Sequence, residues 1–223
     1  MKPCQYSTAL LNQLEELNKK AKRKINTKLV EKAIIFAKKW HGDQPRKTGE
    51  PFYSHPLAVA KIVSEYSFKT DVLVACILHD TLENCKGCDF GLIIREFNVP
   101  IAQMVLDVTK VCYGFDSCYV TDDNVIKLRK GKKTILTLEE ILRKLHATKD
   151  YESLFIKNMD RVHNMETIEG HKSEKQRKVA EETTNIMLGT VANICEKLGT
   201  EDRKYEIEER LFKFTNKVLK KRE

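Results

Sequence analysis

Four residues of this chain have side chains suited to holding a metal ion: His55, the doublet His79-Asp80, and Asp160. Each lies in a segment rich in further polar chemistry, RKTGEPFYSHP, ILHDTLEN and KNMDRVHNM. Two imidazoles and two carboxylates make a mixed nitrogen and oxygen shell. Such a shell suits a divalent ion that keeps positions open for water and a phosphate, the requirement of a metal-dependent phosphohydrolase. Taken singly, each residue has a plainer reading. Adjacent helical residues point about 100 degrees apart, so an HD doublet grips one ion only if the ion lies between those directions. A lone His55 reads as a half-buried histidine donating to a carbonyl, and a lone Asp160 as the partner of Arg161 or a nearby lysine. The chemistry therefore depends on convergence. The only close cysteine pair, Cys85-Lys86-Gly87-Cys88, has no second pair to complete a zinc site and reads as inert thiols.

The elements that must bring these residues together read as helices. Residues 8–23 and 28–41 carry apolar positions at helical spacing, with Val30, Ala33, Ile34, Ala37 and Trp40 near one face. The run GDQPRKTGEP is a loop by its Gly and Pro content, and Pro56 suits the first turn of a helix continuing through LAVAKIVSEY. Asp71 is a plausible N-cap for a helix over 72–84 that is apolar on several sides and therefore buried. His79 and Asp80 at its end then need partners, because buried polar groups cost free energy unless paired. Short helices are expected over 89–98 and 100–111, and longer ones over 137–148, 150–168, 173–198 and 201–221. The stretch 112–134, with Gly114, Asp122-Asp123-Asn124 and the basic run KLRKGKK, reads as an exposed, mobile loop. The fold class is all-α: a single helical bundle with a flexible basic loop and a peripheral C-terminal helix.

At 223 residues, with 41% hydrophobic and 32% charged residues, the chain fits one soluble domain. Its net charge of +8 favours anionic partners. The basic run lacks interleaved aromatics, and no helix-turn-helix, zinc-finger or base-stacking motif appears, so no specific nucleic-acid partner is expected. A solvated basic loop that gathers a polyanionic nucleotide is the better reading of the charge. No segment approaches the roughly 18 apolar residues of a membrane span, and the N-terminus carries no secretory pattern. The seven cysteines are odd in number and scattered, which fits free thiols in a reducing cytoplasm without membrane association. Oligomeric state has no sequence signature.

The segments HGDQPRKTGEPFYSHPLAVAKIV, LVACILHDTLEN and IKNMDRVHNMETI resemble, in order, interval and flanking residues, the hydrolase half of the RelA/SpoT alarmone enzymes. That half belongs to the HD-domain metal phosphohydrolases. The resemblance covers residues 25–200 and divides the chain into an N-terminal helix (1–24), an HD hydrolase domain (25–200) and a C-terminal helical extension (201–223). No synthetase region follows, so the chain looks like a small alarmone hydrolase or the hydrolase fragment of a SpoT protein. By position, the resemblance implies that His55, His79, Asp80 and Asp160 bind one Mn²⁺. It sets Glu83 and Asn84 at the family's water-activating Glu-Asp pair and Arg46, Lys47 and Thr48 along the nucleotide pocket. Asn164 and Thr167 fall near the nucleoside, and His163 is structural rather than a ligand. The implied partner is a guanosine nucleotide alarmone of the stringent response. The implied reaction is hydrolysis of the 3′-pyrophosphate of (p)ppGpp to GDP or GTP and pyrophosphate.

Asn84 departs from the family pattern, which has Asp there. An amide orients water but does not exchange a proton as a carboxyl group does. If the aspartate transfers a proton, the change costs about 10²- to 10⁴-fold in rate. If it orients water, Glu83 sustains a slower reaction. Three outcomes stay open: a hydrolase of reduced or retained activity, a catalytically impaired alarmone-binding protein, and an HD phosphohydrolase acting on another nucleotide such as NADPH.

Overall fold

The computed structural model describes residues 4–67, 69–120 and 126–220. Helix α1 (Gln5–Lys20) buries Leu10 and Leu14 against α3 (Ser54–Ser64), and Gln13 fastens the pair by donating to the Lys61 carbonyl at 3.0 Å. Helix α2 (Thr27–His41) starts at Asn26, whose side chain accepts from the Leu29 amide, and ends at Gly42, which turns the chain at positive φ. The loop that follows is a tight hairpin. Pro45 bridges Pro51, the Arg46 amide donates to the Glu50 carbonyl at 2.7 Å, and the His41 ring stacks on Phe52 at 4.8 Å. This hairpin delivers His55 into the first turn of α3.

Helix α4 (Thr70–Leu78) is the centre of the core, with Val72 through Leu78 all buried. Each such aliphatic side chain contributes about 1.5–3 kcal/mol on burial. Its N-cap is Lys69, and Asp71 lies in the first turn rather than at the cap. The helix expected over 72–84 is interrupted. α4 stops at Leu78, His79 and Asp80 form a break, and a single turn α5 (Thr81–Asn84) resumes. The buried Thr81 hydroxyl donates to the Leu78 carbonyl at 2.7 Å and so satisfies an acceptor the break would orphan. α6 (Phe90–Glu96) and α7 (Val99–Val108) start at Asp89 and Asn98, each a side-chain N-cap.

Where a loop was expected over 112–134, the described residues form an antiparallel ribbon of β1 (Val111–Val120) and β2 (Ile126–Ile135). Its register sets Tyr113 opposite Lys133, Phe115 opposite Lys130 and Tyr119 opposite Lys127. The β-branched and aromatic residues of 111–120 carry strand propensity that the adjacent charge run obscured. Asp122, Asp123 and Asn124 lie outside the described residues.

Helix α8 (Leu138–Ala147) opens on a capping box between Thr137 and Glu140. α9 (Tyr151–Glu166) crosses behind α3, α4 and α7. The helix expected over 173–198 is α10 (Ser173–Glu182) and α11 (Leu188–Leu198), joined by a π-helical turn over Thr183–Met187. α12 (Lys204–Leu219) buries Ile207 and Leu211 and is tied to the bundle by Arg210, which bridges Glu65 and Glu166. The body of the molecule is all-α, as the periodicity indicates, and the ribbon is its one sheet among the described residues. Among these residues no helix is long and apolar enough to cross a membrane.

Candidate metal centre

Because α3, α4 and α9 pack on one another, the first turn of α3, the break after α4 and the middle of α9 meet. The ligand atoms of His55, His79 and Asp80 lie within 4.8 Å of one another. His55 Nε2 is 3.1 Å from Asp160 Oδ1 and 3.7 Å from Asp80 Oδ2. His79 Nε2 is 3.4 Å from Asp80 Oδ2 and 3.8 Å from Asp160 Oδ1. Ligands at bond lengths near 2.1 Å around one ion stand about 3 to 4 Å apart, and these spacings match.

Ring orientation bears on the same point. His79 Nδ1 lies 2.7 Å from the Cys76 carbonyl, which only accepts, so Nδ1 carries the proton. The lone pair is then on Nε2, which is buried, faces both carboxylates and has no hydrogen-bond partner. A buried nitrogen lone pair aimed at two carboxylates is uncompensated without a cation among them, and this is the observation by which the site fits a divalent ion. His55 Nδ1 lies 2.8 Å from His163 Nδ1. Burial first, then the neighbouring His55 and Arg46, pushes His163 down to about 3, so its ring is neutral. With His163 accepting at Nδ1, His55 is protonated there and presents its Nε2 lone pair to Asp80 and Asp160. His163 thus orients a ligand and does not sit among the ligand atoms.

Asp160 is held from three sides. Lys157 Nζ donates to Oδ2 at 3.0 Å, Asn164 Nδ2 donates to Oδ1 at 2.6 Å, and His55 faces Oδ1. Burial alone would raise the Asp160 carboxyl; the Lys157 ammonium, first among the groups that oppose it, holds the carboxyl well below the usual carboxylate range. The Asp80 carboxyl is likewise lowered despite burial, with the Lys157 ammonium among the groups that lower it. Both groups are therefore carboxylates, ready to act as ligands. Asp160's ion-pair partner is Lys157, while Arg161 turns away to Glu182 at 3.3 Å.

The remaining expected residues come from the hairpin, the end of α9 and α5. Arg46 is half-buried and donates to Thr167 Oγ1 at 3.2 Å, and Thr167 in turn donates to the His163 carbonyl at 2.9 Å. Lys47 and Thr48 are exposed on the hairpin, with the Thr48 hydroxyl on Glu50. Asn164, expected near a nucleoside, spends its amide on Asp160. α5 carries Glu83 and Asn84 directly after Asp80. Glu83 is half-buried with Oε1 3.9 Å from Lys110 Nζ. Asn84 is exposed, and its carbonyl accepts from Gln44 Nε2 at 3.0 Å, tying α5 to the hairpin. Lys110 escaped the sequence reading, and Lys157 is the nearby lysine expected as a partner of Asp160. Lys157 had a signal, a lysine three residues before Asp160 and flanked by the apolar Ile156 and Met159. Cys85 and Cys88 are buried and free, and burial first raises their thiols to about 12 and about 11, so both are protonated and unreactive.

The profile described as HD domain matches residues 33–193 of this chain. A GTP pyrophosphokinase rsh of Brucella ovis is 28% identical over 204 residues, covering 92% of this chain and 25% of that protein. A GTP pyrophosphokinase of Streptomyces coelicolor is 35% identical over 187 residues, covering 82% of this chain and 19% of that protein. The chain thus spans about a quarter or less of the length of these curated relatives. A solved structure described as "A metazoan ortholog of SpoT hydrolyzes ppGpp and plays a role in starvation responses" superposes with a TM-score of 0.58. Its sequence identity is 18%, and the match covers 83% of this chain and 94% of that one. At that identity the likeness is one of fold.

Proposed function

This chain belongs to the HD-domain family, and on that premise we propose that it hydrolyses the 3′-pyrophosphate of (p)ppGpp, using one Mn²⁺ ion and releasing GDP or GTP and pyrophosphate. The observation that carries the reading is the buried, unpartnered Nε2 of His79 facing Asp80, Asp160 and the His55 ring. The names of the relatives, enzymes of guanosine polyphosphates, support the substrate class. In this reading residues 25–200 form the hydrolase unit, with residues 1–24 and 201–223 as helical flanks, and the substrate is a nucleotide of the cytoplasm.

His55, His79, Asp80 and Asp160 would hold the ion, which when bound polarises a phosphoryl oxygen and acidifies a water. Glu83, one turn beyond Asp80, accepts the proton of the attacking water as its oxygen bonds to the 3′-phosphorus. The bond from phosphorus to the ribose 3′-oxygen breaks, pyrophosphate is released, and the 3′-oxygen becomes the hydroxyl of GDP or GTP by taking up a proton that Glu83 returns directly or through solvent. Asn84 has only an amide to offer, so it orients water without exchanging the proton. Arg46 forks onto phosphate or stacks on the base, Lys47 supplies a point charge, and Thr48, Asn164 and Thr167 line the nucleoside side.

One assay tests the proposal: pyrophosphate release from ppGpp by purified protein with Mn²⁺, beside the Asn84→Asp variant. Release by the wild type, accelerated in the variant by up to about 10²- to 10⁴-fold, is expected if the missing carboxyl is a proton carrier. The exposed amide of Asn84 favours one second reading, an alarmone-binding protein without turnover. In that case the wild type binds ppGpp and releases nothing while Asn84→Asp releases pyrophosphate. Turnover of NADPH but not ppGpp in either form would reject the alarmone.

A further inference from the structure

The basic run over 127–133 changes character once it is paired. Along the sequence it carries Lys127, Arg129, Lys130, Lys132 and Lys133 and no aromatic residue. In the ribbon each aromatic of β1 stands opposite a lysine of β2: Tyr113 opposite Lys133, Phe115 opposite Lys130 and Tyr119 opposite Lys127. Residues opposite each other across an antiparallel pair share a face, and so do residues two apart on one regular strand. Between Tyr113 and Phe115 three steps of β2 are set against two of β1, so the irregularity there belongs to β2. β1 keeps its alternation, which puts Tyr113, Phe115, Lys130 and Lys133 on one face. Leu128, two residues from Lys130, continues that face, so Tyr119 and Lys127 fall on the other. Val111 and Ile135 extend the first face to the root of the ribbon, and Ile135 is 72% exposed, so the face is open to solvent there. The ribbon's main contact with the bundle is that of β2 with α6, and among the described residues neither strand has a second strand neighbour. The two strands carry five basic residues and one acidic residue, Asp116, with Asp122 and Asp123 between them in the sequence offsetting part of that charge.

We propose that this face of the ribbon binds single-stranded nucleic acid without reading its sequence. Positions two apart on a strand are separated by about 7 Å, a spacing at which Tyr113 and Phe115 each stack one of two successive unpaired bases. Lys130 and Lys133, opposite the two rings, neutralise the phosphates between those bases. Tyr113-Gly114-Phe115 also has the aromatic, glycine, aromatic order found at the centre of the base-stacking strands of RNA-binding sheets, although the rest of that signature is absent. A duplex hides the faces of its bases and meets only the lysines. None of the residues assigned to the metal centre or to the nucleotide lies on the ribbon, so this surface stands independently of the reaction proposed above.

Fluorescence anisotropy of a labelled oligouridylate and a labelled oligothymidylate, titrated with the full chain, tests it. The wild type should bind the preferred strand at least about tenfold more tightly than a duplex of the same length, and the preference between the two strands identifies RNA or DNA as the ligand. Tyr113→Val/Phe115→Val keeps residues that favour a strand and removes both rings. It should weaken single-strand binding at least about tenfold while leaving duplex binding and the dependence on salt as they are. Lys130→Gln/Lys133→Gln should weaken both and lower the slope of log affinity against log salt for the single strand by about 1.4. Tyr119→Val, a ring removed from the other face, should bind as the wild type does. No binding at about 50 mM salt overturns the site. Equal affinity for single strand and duplex, or for single strand and vesicles of anionic lipid, leaves charge alone and overturns the stacking face, as does a loss in Tyr119→Val equal to that of the valine pair. If the valine pair also loses its duplex binding, the ribbon itself is damaged, and Tyr113→Trp/Phe115→Trp decides instead. Binding at or above wild-type strength then supports the face, and a tenfold loss overturns it.

Discussion

Asp160 shows how one residue serves two purposes that sequence reading treats as rivals. It forms the ion pair expected of an ordinary buried aspartate, with Lys157 on Oδ2, and it turns Oδ1 toward His55 and His79. The lysine keeps a buried carboxylate ionised, and an ionised carboxylate is what a metal needs. Lys157→Met should therefore leave Asp160 with an uncompensated buried charge, costing about 3 kcal/mol in the metal-free protein. A divalent ion would supply the missing positive charge, so thermal melts with and without Mn²⁺ should show the variant gaining more from the ion than the wild type gains. Equal gains would mean that the ion does not bind at Asp160. His55, His79, Asp80 and Asp160 were legible as ligand types from the sequence. The geometry adds the proton positions, because the Cys76 carbonyl and the His163 ring that set them have no motif of their own.

At the scale of elements, the sequence pattern located helices well and their interruptions poorly. The apolar run before His79 is unmistakable, yet periodicity continues through the doublet and hides the break that aims both side chains inward. The Thr81 hydroxyl takes up the Leu78 carbonyl that the break would orphan, a local side-chain bond that apolar patterns do not register. The ribbon over 111–135 was missed for a related reason: its charge run dominated the reading, and strand pairing depends on a partner that periodicity within one segment cannot supply. The hairpin between α2 and α3 was legible as a loop, but its seat on Gly170 was not. That seat makes a prediction. Gly170 has an ordinary backbone conformation, so Gly170→Ala costs little as a helix-end change, but its methyl would meet Thr48 Cγ2 at 2.6 Å and push the hairpin outward. KM for the nucleotide should rise several-fold with a shift in stability below about 1 kcal/mol. Thr48→Ser removes the clashing methyl, and the double variant G170A/T48S should recover the lost affinity. A double variant no better than Gly170→Ala would show that Thr48 contact is not what the glycine protects.

For the molecule as a whole, the site concentrates histidines whose neutral forms the fold requires, and this makes stability depend on pH. Burial first lowers His163 to about 3 and also lowers His41 and His171 from their ordinary value. In each case the unfolded chain binds a proton that the folded chain refuses. The stabilisation is therefore complete above the unfolded value near 6.5 and is lost as pH falls through the interval down to the folded values. The depressed carboxyls of Asp80, Asp160, Glu140 and Glu206 act in the same direction, starting below about pH 5, where unfolded carboxyls begin to protonate. Between about pH 6.5 and 5.5 the lowered histidines dominate the slope, each contributing at most about 1.4 kcal/mol per pH unit. Chelator-treated protein should lose denaturant stability steadily over that window. His163→Gln retains a hydrogen-bonding side chain beside His55 but has nothing to titrate, so its profile should be flatter than the wild type's by about one proton's worth of slope. Unfolding curves at half-unit pH steps measure both, and superimposable slopes for the two proteins would mean that His163 does not resist protonation. That neutrality leaves His163 able to accept from His55, the arrangement that frees the His55 lone pair toward Asp80 and Asp160. The buried His163 ring therefore contributes both to the acid sensitivity of the fold and to the readiness of its metal centre.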